Sequence, residues 1–133
     1  MMFMKKLCKL KISPYKSGYL AEFLCRMYMR FHGYRIIAKN YHCGTGRKTP
    51  CGELDFVAVK DKTVVFAEVK KRKRDKEFLR ALTPQQQKRI VNGGQYFIKH
   101  HPQYKKYSMR FDVFFVKLPF HIKWIKGAIY RDR

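Results

Sequence analysis

The stretch Gly52–Arg74 reads GELDFVAVKDKTVVFAEVKKRKR, and it decides the fold. Two segments within it, Leu54–Val59 and Thr63–Val69, are rich in Val and Phe. The polar residues Lys60–Lys62 separate them. Short apolar segments on either side of a polar turn are typical of paired strands, so this stretch predicts a β-hairpin.

Four of the nine acidic residues of the chain fall in this hairpin: Asp61 in the polar turn, and Glu53, Asp55 and Glu68 in or beside the two apolar segments. On a strand, residues two apart point to the same face, so Glu68 and Lys70 project together. Asp55 comes to lie beside Glu68 if the turn closes near residues 60 to 62. The hairpin therefore predicts two carboxylates and an ammonium group on one side of a sheet.

Such a cluster needs a cation, because neighbouring carboxylates raise each other's pKa. Mg²⁺ prefers hard oxygen ligands and commonly uses one or two carboxylates together with phosphate oxygens. Lys70 beside such a site could position a water or neutralise charge on a phosphate. We therefore expect Mg²⁺ or Mn²⁺ at Asp55 and Glu68, and metal-assisted hydrolysis of phosphodiesters.

The composition favours a nucleic acid as the partner. The chain has 133 residues, of which 31 are Lys or Arg and nine are Asp or Glu, for a net charge of +22. Such a charge suits binding to a polyanion, and DNA is favoured here over RNA. No apolar run approaches the ~18 residues of a spanning helix, and the basic start does not read as a secretory signal. We expect no membrane segment and a cytoplasmic location.

The remaining periodicities place the hairpin in an α/β domain. We predict a helix capped at Ser17 and stopped at Gly33, a strand at Tyr34–Tyr41, a helix with a capping box at Thr83 and Gln86, and strands at Met109–Lys117 and Ile122–Ile125. This order predicts a mixed β-sheet flanked by helices. The expected domain is residues 17–133, after a basic N-terminal extension, residues 1–16.

Four cysteines are sparse and irregularly spaced: Cys8, Cys25, Cys43 and Cys51. A disulfide framework is not expected from that pattern. His42 beside Cys43 suggests a zinc site, but no fourth ligand is evident. We expect buried and loop thiols.

The spacing Asp-x12-Glu-x-Lys resembles that of the PD-(D/E)XK nuclease superfamily, which includes restriction endonucleases and archaeal Holliday-junction resolvases. The stretches AEFLCRMYMRFHGY, NYH, GELD, VVFAEVKKR and RFDVFFV resemble, in this order, the bacterial YraN-like family of uncharacterised proteins. Members of that family are similar to those resolvases. The match covers most of residues 18–130. It implies a restriction-endonuclease-like fold and leaves open a homodimer, the state in which such resolvases act.

The resemblance also implies roles for individual residues. Asp55 would be the central metal ligand and Glu68 the second. Glu22, on the first helix, would be an extra metal ligand or an organiser of the site. Lys70 would be the catalytic lysine, and Glu53, the acid of the family's "GEID" motif, would support the site.

The chain departs from the pattern at two places. Leu54 stands where the superfamily name has Pro, which this family tolerates. Gln85, Gln86 and Gln87 stand where relatives often carry a Lys early in the second helix. Gln86 is therefore a candidate supporting residue, or the activity is altered.

Phosphate binding is expected from the basic run after the site, which consists of Lys71, Arg72, Lys73 and Arg74. Simpler interpretations stay open for the acids. Glu22 could be a solvated acid paired with Arg26, and Glu68 with Lys70 could be only an ion pair. Asp112 is expected to bond a backbone amide or a neighbouring Arg rather than a metal.

The leading prediction is a metal-dependent nuclease acting on DNA or RNA, with branched substrates among the options. A first alternative is a catalytically inactive nucleic-acid-binding module on the same fold. A second is a structural protein of a ribonucleoprotein, in which the carboxylates form only an ion-pair network.

Overall fold

The computed structural model describes residues 14–43, 52–71, 82–117 and 121–129 of the chain. Its elements, in chain order, are α1 (Pro14–Phe31), β1 (Arg35–Cys43), β2 (Gly52–Lys60), β3 (Thr63–Lys71), α2 (Pro84–His100), a 3₁₀ turn (Pro102–Tyr104), β4 (Ser108–Lys117) and β5 (His121–Ile125). This order confirms the predicted α/β class and its single mixed sheet. No helix within these residues is both long and apolar enough to cross a bilayer.

The five strands follow the order β1-β2-β3-β4-β5 in one sheet. All neighbours are antiparallel except β3 and β4, which are parallel. A parallel pair needs a crossover connection, and α2 lies in that connection. The sheet is therefore mixed, as the sequence predicted.

The two helices cover opposite faces of this sheet. From Phe56 to Val59 of β2 and from Val64 to Ala67 of β3, successive residues alternate between two apolar clusters, as the two-residue period of a strand requires. One cluster joins Ile90 and Phe97 of α2 to the sheet, and the other joins Ala21, Cys25 and Met29 of α1 to it. β4 is buried on both faces, which confirms that it is an inner strand.

The hairpin of β2 and β3 closes through a two-residue turn. Asp61 and Lys62 both have positive φ, 48° and 60°, and Lys60 pairs with Thr63. Positive φ at both central residues is the type I′ geometry that matches the twist of the flanking strands. The register then runs to the pair Phe56 and Ala67. The ladder ends there, one residue short of Asp55 on β2 and one residue short of Glu68 on β3.

Two local expectations need correction. α1 begins at Pro14, so Ser17 lies inside the helix and is not its cap, whereas Gly33 (φ 88°) does follow the helix end. Cys43 is disulfide-bonded, so the expectation of a thiol was wrong there, while Cys25 is a buried free thiol. Residues 1–13 lie outside the described residues, so the N-terminal extension stays a prediction.

Glycines let α2 approach the sheet closely. A Cβ on Gly52 would clash with the carbonyl oxygen of Arg89 and with the backbone nitrogen of Gly93. A Cβ on Gly94 would lie 2.8 Å from a ring carbon of Phe111. These contacts explain why a pair of glycines lies in the middle of a helix, where it costs intrinsic stability.

We predict that Gly52→Ala destabilises the fold by about 3 kcal/mol, because the clash is with backbone atoms that have no rotamer to adopt. Urea denaturation monitored by circular dichroism measures the loss. Gly18→Ala is the matched control, since a Cβ there meets open space within α1. The control should gain about 0.5–1 kcal/mol from helix propensity. Equal stabilities of the two variants would contradict the close approach.

Candidate active site

The centre of the site is Asp55, one residue beyond the Phe56–Ala67 pair of the hairpin. Its Oδ2 accepts a hydrogen bond of 2.6 Å from the backbone amide of Val69. The carboxylate thus provides a hydrogen-bond acceptor for a β3 backbone amide that lies just beyond the last residue pair of β2 and β3. This contact holds a charged side chain in the sheet, where an Asp without partners would be costly.

Glu68 and Lys70 lie beside Asp55 on β3. The Nζ atom of Lys70 is 3.3 Å from Oε1 of Glu68, and their side chains are 18% and 15% exposed. Glu68 is also within hydrogen-bonding reach of the Asp55 carboxylate. The structure therefore brings together the three residues that the strand period had grouped. Their low exposure differs from the solvated ion pair considered as an alternative.

Glu22 reaches the same carboxylate from α1. Its side chain is half-buried and hydrogen bonds with Asp55. Burial first, and then the Asp55 charge, raise the pKa of Glu22 from 4.5 to about 7. The nearby Arg26 lowers this pKa, but it is the weakest of the causes. Glu22 is thus a member of the acidic cluster rather than a solvated partner of Arg26.

The carboxyl groups of Glu22, Asp55 and Glu68 affect one another's ionisation. Burial and the Asp55 charge raise the pKa of Glu68 from 4.5 to about 8, against the pull of Lys70. Burial also raises the pKa of Asp55, while the Val69 amide, the two glutamates and Lys70 oppose that rise. The same hydrogen bonds favour ionised Asp55 and protonated glutamates. When protonated, Glu22 and Glu68 each donate a hydrogen bond to the Asp55 carboxylate at the centre of the cluster.

The donor set fits a hard divalent cation. Carboxylate oxygens are the ligands that Mg²⁺ and Mn²⁺ prefer, and a cation would relieve the charge that raises these pKa values. Within the described ranges, no three Asp, Glu, His or Cys side chains already form a ligand cage around one point. Instead, Glu22 and Glu68 each bond to Asp55. Replacing their protons by a metal would free oxygens of Asp55, Glu68 and Glu22 to hold it.

Two predicted supporting residues are used elsewhere. Glu53 lies with its Oε2 atom 3.5 Å from Nδ1 of His42, and its side chain is 55% exposed. The Oε1 atom of Gln86 accepts a hydrogen bond of 3.1 Å from the amide of Thr83, while Thr83 Oγ1 accepts one from the Gln86 amide. This is the predicted capping box of α2. The structure thus gives both residues other contacts, and their supporting roles stay predictions.

Some of the remaining predicted positions belong to the described residues, and others do not. Lys71 is exposed at the end of β3. Arg72, Lys73 and Arg74 lie outside the described residues, so phosphate binding by this run stays a prediction. Leu54, at the superfamily's Pro position, is a buried core residue close to Gly93 of α2.

Asp112 is fully buried and has a structural role, as expected. Arg110 binds both of its oxygens at 2.9 Å. The indole of Trp124 donates a bond of 2.8 Å, and the amide of Gly127 donates one of 2.9 Å. With four donors and a paired guanidinium, this carboxylate anchors β5 and the turn that follows it to β4.

The pattern did not reveal two buried neighbours of the site. Arg26 is only 4% exposed although it is charged. The Cys25 thiol has a pKa raised to about 12, first by burial and then by the Asp55 charge. A thiol with that pKa is inert as a nucleophile. Their positions three and four residues after Glu22 place them near it on the helix, which is the available sequence signal.

The fold and the site define a class: a basic, mixed α/β domain with an acidic cluster at one end of a hairpin. The chain matches the model of the uncharacterised protein family UPF0102 over residues 21–116. That segment contains Glu22, Asp55, Glu68 and Lys70. The chain belongs to this family, which confirms the YraN-like resemblance.

Relatives match over most of their length. A UPF0102 protein of Rhodopseudomonas palustris strain HaA2 is 34% identical, covering 84% of this chain and 85% of its own. One from Bradyrhizobium diazoefficiens is also 34% identical, covering 84% and 82%. One from Ehrlichia ruminantium strain Gardel is 37% identical, covering 84% and 81%. These names carry no activity, so they show the family and leave the reaction to be argued from the site.

We predict that, in EDTA, the free energy of unfolding decreases as the pH rises from about 5 to 8. The pKa values of Glu22 and Glu68, about 7 and about 8, exceed the ordinary 4.5, so the folded protein binds more protons than the unfolded chain in this window. The stability that these two groups contribute is therefore fully present below pH 4.5. It is lost as the pH rises through their folded pKa values of about 7 and about 8. Adding Mg²⁺ or Mn²⁺ should flatten this slope. Urea denaturation across the pH range measures it.

Glu68→Gln should also flatten the slope in EDTA, because the side chain no longer ionises. Glu53→Gln is the control and should keep the wild-type slope, since its carboxylate lies at the surface with His42. Identical slopes for wild type and Glu68→Gln would refute the charge competition in the cluster.

Proposed function

We propose that this protein is a metal-dependent nuclease that hydrolyses phosphodiester bonds. One observation carries the proposal: the half-buried Asp55 carboxylate is flanked by Glu22 and Glu68, with the Lys70 ammonium 3.3 Å from Glu68. An ion-pair network alone would not need three carboxyl groups around one ammonium. A chain of net charge +22 supplies the attraction for a polyanionic substrate.

The residues divide the work by position. Asp55, Glu68 and Glu22 would hold Mg²⁺ or Mn²⁺, and a cation so held supplies Lewis-acid chemistry towards a phosphate. The Val69 amide fixes the orientation of Asp55. Lys70 supplies positive charge at the site, with its Nζ atom 3.3 Å from Glu68. It would position the attacking water or stabilise negative charge that develops on the phosphate.

The proposed substrate is DNA, in preference to RNA, in the cytoplasm. Long-range attraction comes from the excess of basic residues, and the run Lys71–Arg74 would contact the phosphate backbone. A homodimer acting on branched DNA is a further option that the resemblance to junction resolvases suggests.

We predict cleavage that requires Mg²⁺ or Mn²⁺ and stops in EDTA. The test is a panel of duplex, single-stranded and four-way-junction DNA together with structured RNA, resolved on denaturing gels. Asp55→Asn and Lys70→Ala should each reduce the rate by about 100-fold or more, because each removes charge stabilisation in a buried site. Binding of the same substrates should persist.

Asp61→Asn is the matched control, because it removes an acid from the hairpin at an exposed turn where Asn tolerates positive φ. It should cleave at the wild-type rate. If wild type, Asp55→Asn and Lys70→Ala bind every substrate equally and none is cut, the nuclease proposal fails. The inactive nucleic-acid-binding module then explains the chain better.

A further inference from the structure

α1 carries large aromatic side chains that are exposed. Tyr19 is 61% exposed, Phe23 is 43% exposed, and Phe31, at the end of the helix, is 84% exposed. An amphipathic helix normally turns its aromatics to the core and polar side chains to water. The core face of α1 is already supplied by Ala21, Cys25 and Met29. The exposed aromatics therefore form a second apolar surface.

Two of these aromatics border the site. Tyr19 and Phe23 are three residues before and one residue after Glu22, whose carboxyl group hydrogen bonds to Asp55. The spacing of four residues aligns the two rings on one side of the helix. Arg30, seven residues after Phe23, continues the same side and is exposed. A stripe of two rings and a guanidinium thus leads away from the acidic cluster.

The charge of the helix fits a negatively charged occupant. Among the 18 residues of α1, Glu22 is the only acid, and it is turned into the site. No other acid of α1 lies along the stripe to repel a phosphate backbone. Aromatic rings combined with positive charge are the pattern that binds single-stranded nucleic acid, since every base has a face that can stack.

We propose that Tyr19 and Phe23 form a stacking platform for unpaired bases next to the bond that is cut. The inference rests on the proposed nuclease function and narrows its substrate. A base in a continuous duplex is stacked on its neighbours and its faces are covered. The favoured substrate is therefore single-stranded DNA, or DNA with unpaired nucleotides at the cleavage point.

A second copy of the chain is the competing occupant. Burying the same helix in a dimer would bring together two chains that each carry a charge of +22. Repulsion of this size opposes association unless a polyanion is present. The charge therefore favours nucleic acid over self-association on this face.

The test measures binding in EDTA, where the proposed cleavage does not occur. Fluorescence anisotropy of labelled oligo(dT) and of a duplex of equal length gives two affinities for each variant. Tyr19→Ala and Phe23→Ala should each weaken oligo(dT) binding about tenfold, a usual loss for one stacked base. Duplex affinity and the dependence of binding on salt should hold, because no phosphate contact is removed. Phe23→Trp should restore oligo(dT) binding.

Phe31→Ala is the matched control, because it removes a more exposed ring from the same helix, about 12 Å beyond Phe23 along the helix axis at 1.5 Å per residue. It should bind both nucleic acids as wild type does. Unchanged oligo(dT) binding in Tyr19→Ala and Phe23→Ala would overturn the platform, as would equal losses for oligo(dT) and duplex. So would a dimer, seen by sedimentation without nucleic acid, that Phe23→Ala abolishes.

The two proposals fail separately. If the aromatic variants lose oligo(dT) binding while wild type cuts nothing with any metal, the platform stands and the nuclease fails. If wild type shows metal-dependent cleavage that Asp55→Asn abolishes, while the aromatic variants bind oligo(dT) normally, the nuclease stands and the platform fails.

Discussion

Asp55 accepts the amide of Val69 at 2.6 Å, at one end of the hairpin ladder, and this contact sets the chemistry around it. A carboxylate removed from water must be compensated by hydrogen bonds and charge. Here the compensation comes from a backbone amide, from two glutamates that act as donors, and from the more distant Lys70. Glu22 of α1 hydrogen bonds to the same carboxyl group, so Asp55 also links α1 to the hairpin. The hydrogen bonds of Asp55 therefore contribute both to the packing of this end of the sheet and to the arrangement of the proposed site.

Comparison of Asp55 with Asp112 separates a functional carboxylate from a structural one. Asp112 is more completely buried, but a bidentate Arg110 neutralises it and two further donors fill its oxygens. Asp55 has the carboxyl groups of Glu22 and Glu68 as its neighbours instead, and burial together with the Asp55 charge raises the pKa of both glutamates. Breaking the Asp112 network would leave a buried charge and cost stability. A cation would stabilise the Asp55 cluster, and this difference supports the proposed metal site.

The hairpin and its site were predictable because they depend on local rules. The two-residue strand period and a polar turn were sufficient to bring Asp55 near Glu68, although the ladder of paired residues ends at Phe56 and Ala67. Arg110 beside Asp112 was sufficient to suggest an ion pair. The contacts of Gln86 were not settled, since its side chain fits both a capping box and a site, and only the fold shows that its oxygen bonds to Thr83. The burial of Arg26 could not be predicted, because helix periodicity indicates the direction of a side chain but not how completely its neighbours cover it. The start of α1 was misplaced because Ser17 has the chemistry of a cap without the position of one.

α1 shows how one helix can serve packing and chemistry together. Its small and sulfur-containing residues face the sheet, and this lets the backbone lie close enough for Glu22 to reach Asp55. Its aromatics, left without a place in that core, remain at the surface beside the same carboxyl group. Long-range attraction to phosphates does not fix the register of a nucleic acid, that is, which nucleotide lies at the site, because phosphates repeat along the polymer. Rings that hold a base at a fixed distance from Glu22 would supply that register, so the arrangement of one helix would link binding to the bond that is cut.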